Sequence, residues 1–310
     1  MRMFSQTGQK QARKSGRAEG DNSVILPGFQ AKDFRSLKQI LDRLYRDYDF
    51  EGRVLHDPIE FPHQFKRPGD IEISGFIAAC FAYGRVELFK PVIKKILSAM
   101  GDSPYDFLRE FSLKKQRRLF SGISYRFNKN DDILCLLYVL SMLVTQYGTI
   151  EAAFKNNYRD SDPDTGNGLT GLMGILLSTD VSPVYGENIK PPGFRQLLPS
   201  PANGSACKRT CLFLRWMVRC ADIDFGIWKD VPGNKLVIPL DTHIARISKC
   251  LGFTNRSAQD WKMAVEITGA LKKLDPADPL KYDFALCHQG IAGLCSKMKC
   301  SECKLFNVSF

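Results

Sequence analysis

From Ala31 onward, apolar residues recur at three- and four-residue spacing in one segment after another, and almost nothing alternates as a strand does. That periodicity points to an all-α protein. Phe34, Leu37, Leu41, Leu44 and Tyr48 mark one face of a first helix. Asp70 opens a second, in which Ile73, Phe76, Ile77, Cys80 and Phe81 mix with small residues, the pattern of a helix buried on most sides. Further helices are expected over Val86 to Met100, from Ser103-Pro104, and over Asp131 to Tyr147. Ala206 to Arg219, Thr242 to Cys250, Ser257 to Leu274 and Pro279 to Gly290 complete the set. Lys235 to Ile238 is the single strand candidate, and 159–200, rich in Gly, Pro, Asp and Ser, reads as a weakly structured insert.

The 310 residues suffice for one large domain or two small ones, and no apolar run reaches membrane-spanning length. The formal charge is +11, of which residues 1–22 hold +3, leaving +8 on the body. A body so basic suits a polyanion, and nucleic acid is the expected partner. Residues 1–24 are polar, basic and poor in anything to bury, so a disordered tail is expected there. The start also lacks the apolar core of a secretory signal, and the ten cysteines do not form a secreted scaffold. An intracellular setting is expected: cytoplasm or nucleoid in a bacterium, nucleus or organelle in a eukaryote.

The run from Val237 to Ile247 (VIPLDTHIARI) carries the chemistry. It delivers an acid, a hydroxyl and an imidazole onto the first turn of an amphipathic helix whose inner face is Ile244, Ile247 and Leu251. Asp241 has the chemistry of an N-cap, accepting from the orphan N–H groups of that turn. A carboxylate fixed at a helix N-terminus is stabilised in its charged form and can activate water or stabilise a developing cation.

Pro239-Leu240-Asp241-Thr242-His243, followed by Arg246, resembles the segment bearing the catalytic aspartate of helix-hairpin-helix base-excision DNA glycosylases, the endonuclease III superfamily. The resemblance spans roughly 70–310, with 237–252 its specific part, and makes the chain look like an outlying family of that superfamily. It implies a two-lobed helical bundle after the tail, occupying 25–310: a six-helix lobe over roughly 70–236 and a second lobe from 31–69 plus 237–310. Leu197-Leu198-Pro199 through Thr210 resembles a degenerate helix-hairpin-helix, with Gly204 and Ala206 at the hairpin's glycine positions. There Gly204, Ser205, Ala206, Arg209 and Thr210, with His243 and Arg246, are the expected DNA contacts. Lys208 falls where bifunctional members keep a Schiff-base lysine, although it stands 33 positions before Asp241, farther than the family pattern. Tyr125, Trp216 and Trp228 are candidate walls of a base pocket.

The implied activity is hydrolysis of the N-glycosidic bond of a flipped, damaged or mispaired base in duplex DNA by a monomer, with lyase chemistry open through Lys208. The other reading is a non-catalytic DNA- or RNA-binding protein that keeps the fold. Cys287, Cys295, Cys300 and Cys303 are separated by seven, four and two residues, a spacing suited to thiolate ligands. Against the four-cysteine loop of endonuclease III-like enzymes, the last three resemble the first three ligands, Ser309 falls on the fourth, and Cys287 or His288 is a substitute. Three outcomes stay open: a [4Fe–4S] cluster, zinc, or a loop without metal. His56-Asp57 and His63 read as solvated or capping loop residues, and Asp283 as a structural acid.

Overall fold

The computed structural model describes residues 31–291; segment 1–24 and Cys295, Cys300, Cys303 and Ser309 lie outside the described residues. Nine helices of nine residues or more occur among the described residues. They are α1 (Ala31–Arg46), α2 (Pro68–Phe81), α3 (Val86–Met100), α4 (Asn130–Tyr147), α5 (Gly166–Ser178), α6 (Lys208–Val218), α7 (Thr242–Cys250), α8 (Trp261–Leu274) and α9 (Asp283–Ile291). Shorter α and 3-10 turns join them, and no strand forms among the described residues; pairing stops at the isolated bridges Tyr125–Asn128 and Ser205–Asp260. The all-α expectation holds. No helix in this range is long and apolar enough to cross a membrane.

The core centres on α2, where every residue from Asp70 to Phe81 is buried. It packs most closely on α6, with Phe76 edge-on to Phe213 at 5.2 Å between ring centres. Gly75 sets that approach, because a Cβ there would stand 3.1 Å from the Met217 methyl and 3.8 Å from the Phe213 ring. The contact matters for function because α6 carries Lys208 at its first turn.

Two local expectations are corrected. The segment 159–200 is not weakly structured: it contains α5 and the short helices Ser182–Tyr185 and Pro192–Leu197. Its glycines hide the helix from a propensity reading, yet Gly168 is what lets α5 lie against the Phe154 ring. The run from Lys235 to Ile238 is extended only in part, since Gly233–Lys235 is a 3-10 turn. The remainder of the run has no partner strand; Ile238 N–H donates to Thr268 Oγ1 at 3.0 Å on α8.

Glu72 is an acidic side chain inside α2, 3% exposed. Its Oε2 accepts from Ile150 N–H and its Oε1 from Glu151 N–H and Trp228 Nε1–H, each at 2.9 Å. Burial pushes this carboxyl up to about 7 despite the three donors. The folded state therefore binds the proton more tightly than the unfolded chain, and stability falls as pH rises from the ordinary value of 4.5 to about 7. The expected loss is at most about 3 kcal/mol. In Glu72→Gln the fall in stability between pH 5 and 7 should be much smaller than in wild type in urea melts. A mutant whose slope against pH matches wild type would refute the assignment.

Candidate active site

The residues 236–240 are buried and run straight into Asp241, which is extended and caps α7. Asp241 Oδ1 accepts from Ile244 N–H at 2.8 Å, while Ile244, Ala245 and Ile247 bury the inner face of the helix. The cap engages Oδ1 and leaves Oδ2 to other partners. Two groups approach that oxygen: the Cys287 thiol at 3.3 Å and the Lys208 ammonium at 3.9 Å. Lys208 is 37% exposed and Asp241 13%, so the pair sits at a boundary between protein and solvent. Both line a cavity of about 700 Å³, a size suited to a small organic ligand. Phe89, Leu212, Leu240 and Phe284 give this cavity apolar wall.

The lysine is delivered by a strained turn. Pro201–Asn203 forms a 3-10 turn closed by Gly204 at φ 72°, and Cys207, not a glycine, holds φ 51° immediately before Lys208. A left-handed non-glycine residue costs energy and persists only where its surroundings enforce it. Here Ser205 Oγ accepts from Cys207 N–H at 3.2 Å, and Gly204 C=O accepts from Trp261 N–H at 3.2 Å. The hairpin is thus fastened to α8. Gly204 is exposed, and Ser205 and Ala206 are half-buried.

Arg209 and Thr210 correct the sequence reading. The Arg209 guanidinium is turned inward, donating to the carbonyls of Cys80 and Gln196 and lying 5.1 Å over the Tyr83 ring. Thr210 is buried and donates to Cys207 C=O at 3.1 Å. Successive residues on a helix point about 100° apart, so Lys208 faces out while its neighbour faces in. Arg246 stays exposed, with its guanidinium 3.3 Å from Gly290 C=O and 3.4 Å from His243 Nδ1. His243 lines the cavity.

The aromatic pocket residues are also corrected. Trp216 and Trp228 are 0% and 2% exposed and belong to the core, Trp228 through its bond to Glu72. Tyr125 is buried and donates to Tyr83 C=O at 2.5 Å, so it supports the cavity rim without lining it. The segment 219–237 that separates Lys208 from Asp241 along the chain therefore does not fill the cavity. Phe225 and Trp228 N–H groups donate to the Trp216 and Met217 carbonyls at 2.8 Å, which folds the segment back on α6.

Behind Asp241 lies a buried ionic network. Arg215, 1% exposed, donates to Asp224 at 3.1 Å and to Asp283 at 2.9 Å. Arg219 reaches Asp222, Asp224 and Asp278, each at 2.8 Å. Burial, reinforced by the nearby negative charge of Asp241, pushes the Asp283 carboxyl up to about 6 against the pull of Arg215.

Cys287, on the same helix as Asp283, also borders Asp241. Its sulfur points at Asp241, and burial plus the charges of Asp241 and Asp283 hold the thiol far above its ordinary range. Among the described residues no three His, Cys, Asp or Glu side chains form a metal-holding group.

Asp57 and His288 line the cavity with Tyr48 behind them, and the three had no local signal as a group. His288 Nδ1 is 2.6 Å from the Tyr48 hydroxyl, His288 Nε2 is 3.8 Å from Asp57 Oδ2, and the imidazole leans on Phe284 at 4.2 Å between ring centres. Asp57 also caps a 3-10 turn through Ile59 N–H at 3.0 Å, as its loop position suggested.

Residues 57–292 match a family model described as a protein of unknown function, DUF2400. No curated protein and no solved structure matches the chain. The match covers most of the sequence, and the chain belongs to the DUF2400 family.

Proposed function

We propose that this DUF2400 protein excises a base from nucleic acid, duplex DNA being the substrate, by breaking the N-glycosidic bond of an extruded damaged or mispaired base. The observation that carries the reading is the convergence of Lys208 and Asp241. Each stands at the start of its helix, they are 33 positions apart in sequence, and they meet within 3.9 Å at one cavity. Departure of the base takes the electron pair of the C1′–N bond and leaves positive charge on the sugar. A fixed Asp241 stabilises that charge, and either water or Lys208, its ammonium having given up a proton, forms the new bond to C1′, the proton released in the step matching the one the departing base takes up. On this reading the helices flanking the cavity are the two lobes of a glycosylase-like bundle. The exposed hairpin around Gly204 and the exposed Arg246 meet the backbone.

The test is incubation of the full chain with a panel of damaged and mismatched duplexes, with and without alkali. If Lys208 forms a Schiff base, borohydride traps a covalent adduct that Lys208→Ala lacks. An alkali-labile abasic product without an adduct identifies a monofunctional enzyme using water. Binding without excision on every lesion decides for the non-catalytic reading.

Affinity should also fall at least roughly ten-fold between 50 and 200 mM salt, because phosphate contacts release counterions. A binding isotherm indifferent to salt would remove nucleic acid from consideration.

A further inference from the structure

We infer that His288 and Asp57 read the edge of the base that enters the cavity, selecting one that presents a hydrogen-bond acceptor beside a donor. This rests on the excision reading and names its substrate class. Both side chains line the same cavity as Asp241, and both are mostly enclosed, at 13% and 16% exposure.

The hydrogen-bonding sense of each group follows from its other partner. Nε2 of His288 faces the Asp57 carboxylate, which favours the ring proton on that nitrogen and leaves Nδ1 to accept from the Tyr48 hydroxyl at 2.6 Å. In the neutral imidazole this assigns the ring proton to Nε2, which becomes the free donor. Asp57 spends Oδ1 on Ile59 N–H and keeps Oδ2 as the free acceptor. The separation of Nε2 from Oδ2, 3.8 Å, is too long for a hydrogen bond between them and lets both bond a third group. A donor and an acceptor side by side match an acceptor and a donor side by side, the same bidentate logic by which side chains distinguish bases in a groove.

Hypoxanthine, uracil, guanine and their oxidised relatives carry C=O next to N–H. Unsubstituted purine, whose edge carries acceptors and no N–H, lacks the donor. Phe284, tilted against His288 and lining the cavity, offers an apolar floor for the flat face of either kind, so it contributes affinity without choosing. The choice falls to the polar pair, since a base lacking the two groups would leave a buried donor and acceptor unmatched.

The experiment compares two duplexes identical except for one nucleotide, hypoxanthine or unsubstituted purine, each set opposite an abasic spacer so that pairing contributes nothing. Full-length Asp241→Asn protein is titrated with each to prevent turnover. The hypoxanthine duplex should bind at least about ten-fold tighter. Adding Asp57→Asn, which keeps the cap on Ile59 but presents an amide N–H to the base, should bring the ratio to about one, and adding His288→Ala should do the same. Circular dichroism and thermal melts verify that these variants fold. Should either fail to fold, the ratio in the Asp241→Asn protein decides alone. Equal affinity for the two duplexes, or a ratio unmoved in folded Asp57→Asn protein, overturns the edge reading and leaves excision standing. Failure to bind any duplex overturns both.

Discussion

Asp241→Asn is expected to lower base excision by roughly 10²–10³-fold while leaving nucleic-acid binding intact. The amide oxygen can still accept from Ile244 N–H, so the cap on α7 survives and the melting temperature should move little. What disappears is the charge at Oδ2, the atom facing Lys208 and Cys287. Stabilisation of a cationic sugar depends on that charge and not on side-chain volume. Single-turnover rates on whichever lesion the wild type accepts provide the measurement. Near-wild-type turnover by the asparagine protein would mean that the carboxylate serves only as a cap.

The second large effect concerns stability. Arg215→Met should cost about 3–5 kcal/mol in urea unfolding, because it strands Asp283 as an unpaired buried carboxylate and leaves Asp224 to Arg219 alone. Lysine should rescue poorly, since one ammonium cannot span two acids on different elements as the guanidinium fork does. A loss under about 1 kcal/mol would show that the network is hydrated and contributes little. Arg215→Met should also disturb excision, because Asp283 lies on the same helix as Cys287 and His288.

The helices with strong apolar stripes and recognisable ends were legible in the chain. Val86–Met100 and Thr242–Cys250 lie where Gly101 and Asp241 mark their boundaries. Helix α5 was not, because glycine is read locally as a breaker while its use here is to admit Phe154, a fact about a neighbour. The same distinction governs the site. Asp241 as a cap follows from four consecutive residues, and its meeting with Lys208 was suggested only through resemblance. That Arg209 faces the interior depends on where the Cys80 and Gln196 carbonyls lie, which no pattern near Arg209 encodes. Tyr48, Asp57 and His288 assemble from positions up to 240 residues apart, with no spacing to betray them.

Helix α9 places Asp283, Cys287 and His288 within six consecutive positions, and each is tied to a different part of the molecule: Arg215, Asp241 and Tyr48. These three ties make the helix a keystone. Any excursion that lifts it away breaks the ion pair, frees the carboxylate and releases the imidazole in one event. Amide exchange along α9 should therefore follow a single opening free energy, and that energy sets the fraction of molecules whose cavity is intact at any instant. A ligand that seats against this helix would slow exchange at all its amides together, giving a sensitive report of occupancy even for a substrate that is never turned over.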